Sequence, residues 1–306
     1  MAYPNVAGVP SYSGTFIPEV WSSKLIEKYY DNTVLSAISN TNYQGIISNQ
    51  GDKVIIRTTP TLEINDYSIG QTLVNQRPEA PVVELNIDKG FYWSTIIDDV
   101  VEKQQDIDQM NLWAQDAAEQ LKIKLDSRVL GSIVPDVAAT NKGATAGRIS
   151  GNIDLGATGA PEAVTSSNIL EYILKMGQVL DEQNVPETGR FLVLPFWATT
   201  RLKLSDIKDA SLTNDGSSPL RNGRVGMIDR FTVYNSNLLP TYTDGSDKTT
   251  HFLAGTKDGL TFATQLTKTE SLRAESTFGN IMRGLMVYGH KVIKPEALVA
   301  LYAKQG

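Results

Sequence analysis

No cysteine occurs among the 306 residues, an absence that removes disulfides, thiolate catalysis, zinc ribbons and iron–sulfur ligation together. Histidine is nearly absent as well. His251 and His290 are far apart in sequence and neither has a second histidine at metal-ligand spacing, so both read as structural residues. No window approaches the roughly 18 apolar residues that span a bilayer, and the first residues, MAYPNVAGVPSYSGTF, lack the charged start and apolar run of an export signal. The expectation is a chain made and kept in the cytoplasm, with no membrane contact. Positive charge is short too: 28 Lys and Arg stand against 34 Asp and Glu, for a formal net charge of −6. That balance argues against a broad cationic surface for gripping nucleic-acid phosphates.

The usual catalytic signatures are missing in the same way. There is no G-x-x-x-x-G-K-[ST] phosphate loop, no G-x-G-x-x-G after a strand and no G-x-S-x-G elbow. No catalytic residue, metal ligand or cofactor site is assigned. Two cooperating carboxylates need no proximity in sequence, so a carboxylate-dependent enzyme stays open as an alternative.

What is present starts with a folded composition, 41% hydrophobic and 20% charged, enough for one large or two moderate domains. The strongest element is residues 106–134, where Ile107, Met110, Ala114, Ala117, Leu121, Leu125 and Val129 recur at helical steps and predict one buried face. Asp106 is placed as N-cap, Gln109 completes a capping box, and Pro135 closes the helix. At 1.5 Å per residue such a helix runs roughly 40 Å, longer than a compact domain needs to cross its own core.

Ahead of it, residues 1–16 carry Pro4, Gly8, Pro10 and Gly14 and read as an extended arm. Pro18, Trp21, Leu25, Ile26 and Tyr29 then mark a short amphipathic helix that packs on its own core or on a neighbour. Val54, Ile56 and Thr58 alternate with Lys53, Ile55 and Arg57, and Val83, Leu85 and Ile87 alternate cleanly with Glu84, Asn86 and Asp88, which predicts two paired antiparallel strands. Hairpin loops normally run about 2–5 residues, yet some 20 separate these strands. That connection still carries Leu62, Ile64, Tyr67, Ile69, Leu73 and Val74, which want burial. Another copy of the chain is the economical cover for them, and a lid folded over its own body is the bland one.

Residues 91–108 are rich in carboxylates: Asp98, Asp99, Glu102, Asp106 and Asp108. Asp106 and Asp108 match the first two positions of a calcium loop, but its glycine and final glutamate are missing, so acids near a helix start are the better account. A Gly/Ala/Thr-rich run over 136–167 predicts loops with one short hairpin. A helix follows through Ile169, Ile173, Met176 and Leu180, then a buried strand FLVLP, then a helix FWATTRLKLSDI. Residues 209–226 read as an exposed loop near which Arg221, Arg224 and Arg230 cluster. MIDRFTVYNSNLLP reads as one strand, Asp244-Gly245 as a turn, and Leu285 through Ile293 as another strand. Trp93, Trp113 and Trp197 sit in apolar patterns and read as core rather than as a binding platform.

The order of certain runs resembles tailed-bacteriophage major capsid proteins. These are IPEVWSSKLIE (17–27), GDKVIIRTTP (51–60), LNIDKGFYWSTIIDDVVEKQQDIDQM (85–110), FLVLPFWATTRLKL (191–204), IDRFTVYNSNLLP (228–240) and MRGLMVYGHKVIKPEALV (282–299). The resemblance covers nearly the whole chain and rests on order and spacing. It implies an α+β fold of the Hong Kong 97 type: an N-terminal arm (1–45), an extended β-hairpin loop (46–95), a peripheral domain (96–135 and 261–295) with a spine helix, and a mixed α/β axial domain (136–260 and 296–306). It implies a self-assembling homo-oligomer whose hexamers and pentamers form an icosahedral shell in the virion, enclosing double-stranded DNA without reading its sequence. Trp21, Leu62, Ile64, Tyr67, Ile69, Leu73 and Val74 are then the inter-subunit contact candidates. A portal protein is an implied partner, and so is a separate scaffolding protein, because the chain enters the arm at once. Lys53 and Lys89 flank the loop, but no residue matches a Lys–Asn cross-linking reaction and none is predicted. An encapsulin-like nanocompartment shell, similar in fold, is the runner-up.

Overall fold

A computed structural model describes residues 30–43, 53–57, 60, 62–79, 82–104, 109–205 and 226–306. The expected arm helix with Trp21, the capping residue Asp106, Asp108, and the loop bearing Arg221 and Arg224 lie outside these residues.

Five α-helices and twelve strands are described: α1 (Leu35–Ile38), β1 (Lys53–Arg57), β2 (Val82–Asn86), β3 (Lys89–Asp98), α2 (Asp99–Gln104), α3 (Gln109–Ile133), β4 (Glu162–Val164), α4 (Ile169–Glu182), β5 (Arg190–Leu194), α5 (Phe196–Leu204), β6 (Met227–Ile228), β7 (Phe231–Asn235), β8 (Thr241–Asp244), β9 (Asp247–Thr256), β10 (Leu260–Arg273), β11 (Gly279–Val292) and β12 (Leu298–Gln305). They build a two-stranded ribbon β1-β2, a three-stranded sheet β10-β11-β3, and a seven-stranded sheet β4-β12-β9-β5-β7-β6 in which β8 pairs with β9. The result is the expected α+β mixture.

The FLVLP strand shows why an unbroken apolar run is used. Leu192 and Leu194 face one core, packed on Ile173, Met176 and Leu180 of α4, while Phe191 and Val193 face a second core with Leu130 of α3. Alternate residues of a strand point to opposite faces, so a strand covered on both sides must be apolar throughout. β12 divides the same way, with Val299 and Leu301 in the first core and Leu298 and Ala300 in the second. At the head of β5 the Arg190 side chain is fully buried. Its guanidinium donates to the carbonyls of Val185 (2.6 Å) and Pro186 (2.9 Å) and pairs with Asp181 (2.8 Å), which compensates the charge.

Two strand assignments need correction. The run MIDRFTVYN is no single strand but the hairpin β6-β7, turned at Asp229 with φ +51°. An aspartate tolerates that left-handed conformation, so the turn forms without glycine. Lys89–Asp98, which overlaps the carboxylate-rich 91–108 run and for which the sequence reading predicts no strand, is a ten-residue strand on the edge of the three-stranded sheet, paired through Tyr92 with Leu285 and Ile96 with Ile281.

Candidate assembly surface

The long helix α3 spans 25 residues, about 37 Å at the helical rise, and a 3₁₀ turn at Val134–Asp136 carrying Pro135 follows it. Its expected single buried face exists only toward the C-terminal end. Leu125, Val129, Leu130 and Ile133 are buried, whereas Leu121 and Ala117 are half-buried and Leu112 is exposed. Trp113, expected in the core, is 41% exposed. Among the described residues, the stripe that helical spacing marks is covered for only part of its length.

What covers the buried end includes residues 30–43, which run along the helix. Tyr30 donates to Asp116 (2.9 Å), and the backbone N–H groups of Val34 (2.5 Å) and Leu35 (3.1 Å) both donate to Asp126. Burial pushes the Asp126 carboxyl up from its ordinary value, and the two N–H groups oppose that shift. Sequence reasoning passed over Asp126. The signal was there: an acid four residues before Leu130, on the side of the helix that Leu130 and Ile133 bury.

The ribbon rises from the three-stranded sheet. Its register runs from Lys53 opposite Asn86 to Arg57 opposite Val82, as the alternation requires. Ile56 and Leu85 are buried at its base with Ile87 and Ala263, while Ile55 and Val82 face solvent. The exposed Lys53–Glu84 pair (3.1 Å) adds little to stability. Beyond Arg57 the chain has no strand or helix through residues 62–79. There Leu62, Ile64, Tyr67, Ile69, Leu73 and Val74 are between 59% (Leu62) and 100% (Ile69) exposed. None of the six belongs to a hydrophobic core of its own chain. A run of apolar side chains this exposed marks a surface that something covers.

Two carboxylates of the 91–108 segment, Asp99 and Glu102, brace the sheet. Asp99 accepts from both terminal nitrogens of Arg273, which holds its carboxyl below the ordinary value, and Glu102 accepts from Asn280 (3.0 Å). Arg230 is equally occupied, held by Asp181 (2.7 Å) and Glu187 (3.1 Å). Among the described residues no group of three or more His, Asp or Glu is placed to hold a metal ion, and no helix is long and apolar enough to cross a membrane.

The two histidines are half-buried at packing joints. His251 lies between Tyr242 (5.4 Å) and Tyr302 (4.7 Å), and His290 Nε2 lies 2.6 Å from Ser132 Oγ on α3. Ser132 already donates to the Val129 carbonyl (2.9 Å), so the neutral His290 ring donates to the hydroxyl. Burial, aided by Lys142 for His251 and Lys89 for His290, pulls each ring down to about 4. An unfolded histidine takes its proton near pH 6.5, so between pH 6.5 and about 4 the unfolded chain binds more protons than the folded one. Stability from these rings is complete above that window and lost as the pH falls through it. Thermal unfolding of the subunit should therefore show a Tm that drops from pH 6.5 to 4.5, and more steeply than in a His251→Gln/His290→Gln variant. Parallel profiles would refute this.

The architecture defines a class: it is the Hong Kong 97-type α+β fold of viral shell subunits. A protein of Mycobacterium phage Che8 superposes with a TM-score of 0.78 at 24% identity over 95% of this chain and 98% of that one. A chain from the capsid of cyanophage P-SCSP1u gives 0.72 at 17% identity over 95% and 94%, and one from the mature capsid of bacteriophage PhiM1 gives 0.68 at 14% over 94% and 91%. No curated protein sequence matches. The chain belongs to the phage capsid protein family, whose model matches residues 87–301. It is a major capsid protein, a shell-forming structural subunit of the tailed-bacteriophage virion, and this family membership favours the phage shell over a nanocompartment.

Proposed function

We propose that copies of this subunit form hexamers and pentamers that close an icosahedral shell around double-stranded DNA, with Leu62, Ile64, Tyr67, Ile69, Leu73 and Val74 buried against neighbouring copies. The observation that carries the proposal is the exposure of all six side chains on a loop without a core of its own. Many such contacts, each weak, sum through multivalency into a closed assembly. In this reading Trp21 on the arm is a further contact. The arm takes residues 1–45, the extended loop 46–95, the peripheral domain 96–135 and 261–295, and the axial domain 136–260 and 296–306. The subunit is synthesised and assembled in the host cytoplasm with a separate scaffolding protein and joins a portal protein. Its role in the shell is structural rather than enzymatic. The wall encloses DNA without sequence-specific contacts, in keeping with the net charge of −6.

Size-exclusion chromatography with light scattering, followed by negative-stain imaging of any large fraction, tests the proposal. Closed particles hundreds of ångströms across are expected, at about the size that phage shells require. A monodisperse monomer that stays so even with the scaffolding protein present would overturn it.

A further inference from the structure

The two arms of the projecting loop are joined by side chains where a hairpin would use its backbone ladder. The Glu63 N–H donates to Gln76 Oε1 (3.0 Å), and Gln76 Nε2 donates back to the Glu63 carbonyl (2.8 Å). At the tip the Ser68 N–H donates to Gln71 Oε1 (3.0 Å) and the Gln71 N–H to the Ser68 carbonyl (3.0 Å), around Gly70 with φ +88°. A primary amide carries an acceptor and two donors, so one glutamine can satisfy both groups of a peptide as a strand partner would. Leu62 and Ile64 flank one end of the Gln76 rung, and Leu73 and Val74 lie shortly before the other. Without the rung, ordering this stretch of backbone would fall on the docking step, where lost conformational freedom subtracts from affinity. With it, much of the order exists beforehand.

We propose that Gln76 is a positioning residue for assembly: its amide holds the loop in the shape that a neighbouring copy receives. This rests on the reading that neighbours bury the loop. The brace is neutral and touches no core, so it acts on docking and leaves subunit stability alone.

The test compares the full-length wild type, Gln76→Leu and Gln76→Glu under the conditions in which the wild type assembles. Two quantities are read: the threshold concentration for assembly by light scattering, and millisecond hydrogen exchange of the loop in the unassembled subunit. Losing two exposed hydrogen bonds should raise the threshold about tenfold in Gln76→Leu, with faster loop exchange and an unchanged Tm. Gln76→Glu keeps the acceptor and loses the donor at neutral pH, so it should fall between. A wild-type threshold in Gln76→Leu, or a lowered subunit Tm, would overturn the proposal. A variant lacking residues 61–79 separates the two readings: if it assembles normally the loop reading fails, whereas if it does not and Gln76→Leu does, only the brace fails.

Discussion

Replacing residues 61–79 with a short Gly-containing turn is expected to leave a folded subunit that does not assemble. The fold survives because no side chain of residues 62–79 lies in any of the cores among the described residues, and the ribbon below keeps Ile56 and Leu85 buried. Assembly fails because each apolar side chain moved from water into an interface contributes about 1.5–3 kcal/mol. Six are lost together. Ordering and imperfect fit reduce what is realised, yet a net loss of about 5 kcal/mol per subunit still raises the assembly threshold by more than three decades. Circular dichroism with thermal unfolding should match the wild type while light scattering reports monomer. Shells of normal size from this variant would refute the role given to the loop.

The second large effect is expected at Gly289. This residue is in β11 opposite Ala263, and the end of the ribbon crosses it closely: a Cβ here would sit 2.2 Å from the Asn86 carbonyl oxygen and 3.2 Å from Ile87 Cα. Both obstacles are backbone, so no rotamer change relieves them. Gly289→Ala must push the ribbon base off the sheet, opening the contacts of Leu85 and Ile87 with Ala263 and Val287. Overpacking of this kind costs about 2–3 kcal/mol, and the loop at the ribbon's end swings with its base. A lower Tm together with few or misshapen particles is the expected outcome. An unchanged Tm would show that the ribbon base yields freely.

Much of this fold could be read directly from residue patterns. The pairing of β1 with β2 followed from alternation around Val54 and Leu85, and α4 from the spacing of Ile169, Ile173, Met176 and Leu180. These signals are local, since the periodicity of a strand or helix is written in neighbouring residues. The errors arose where the outcome depends on distant chain. The Phe91 segment becomes a strand because β11, nearly two hundred residues later, offers it a partner. MIDRFTVYN breaks because Asp229 accepts a turn. Trp113 sits in an apolar pattern yet is 41% exposed, because none of the described residues covers that part of α3.

The candidate surface divides in the same way. Its apolar residues and anomalous length were legible, and composition alone removed cysteine chemistry and argued against a broad cationic surface. Tertiary structure decided the rest: that the six loop side chains stay outside every core, that Asp126 binds the segment at Val34 and Leu35 to the long helix, and that Gln76 closes the loop across thirteen residues. The physical reason is that periodicity states which face of an element is apolar, whereas what that face meets, or whether it meets anything within its own chain, is set by contacts between residues remote in sequence.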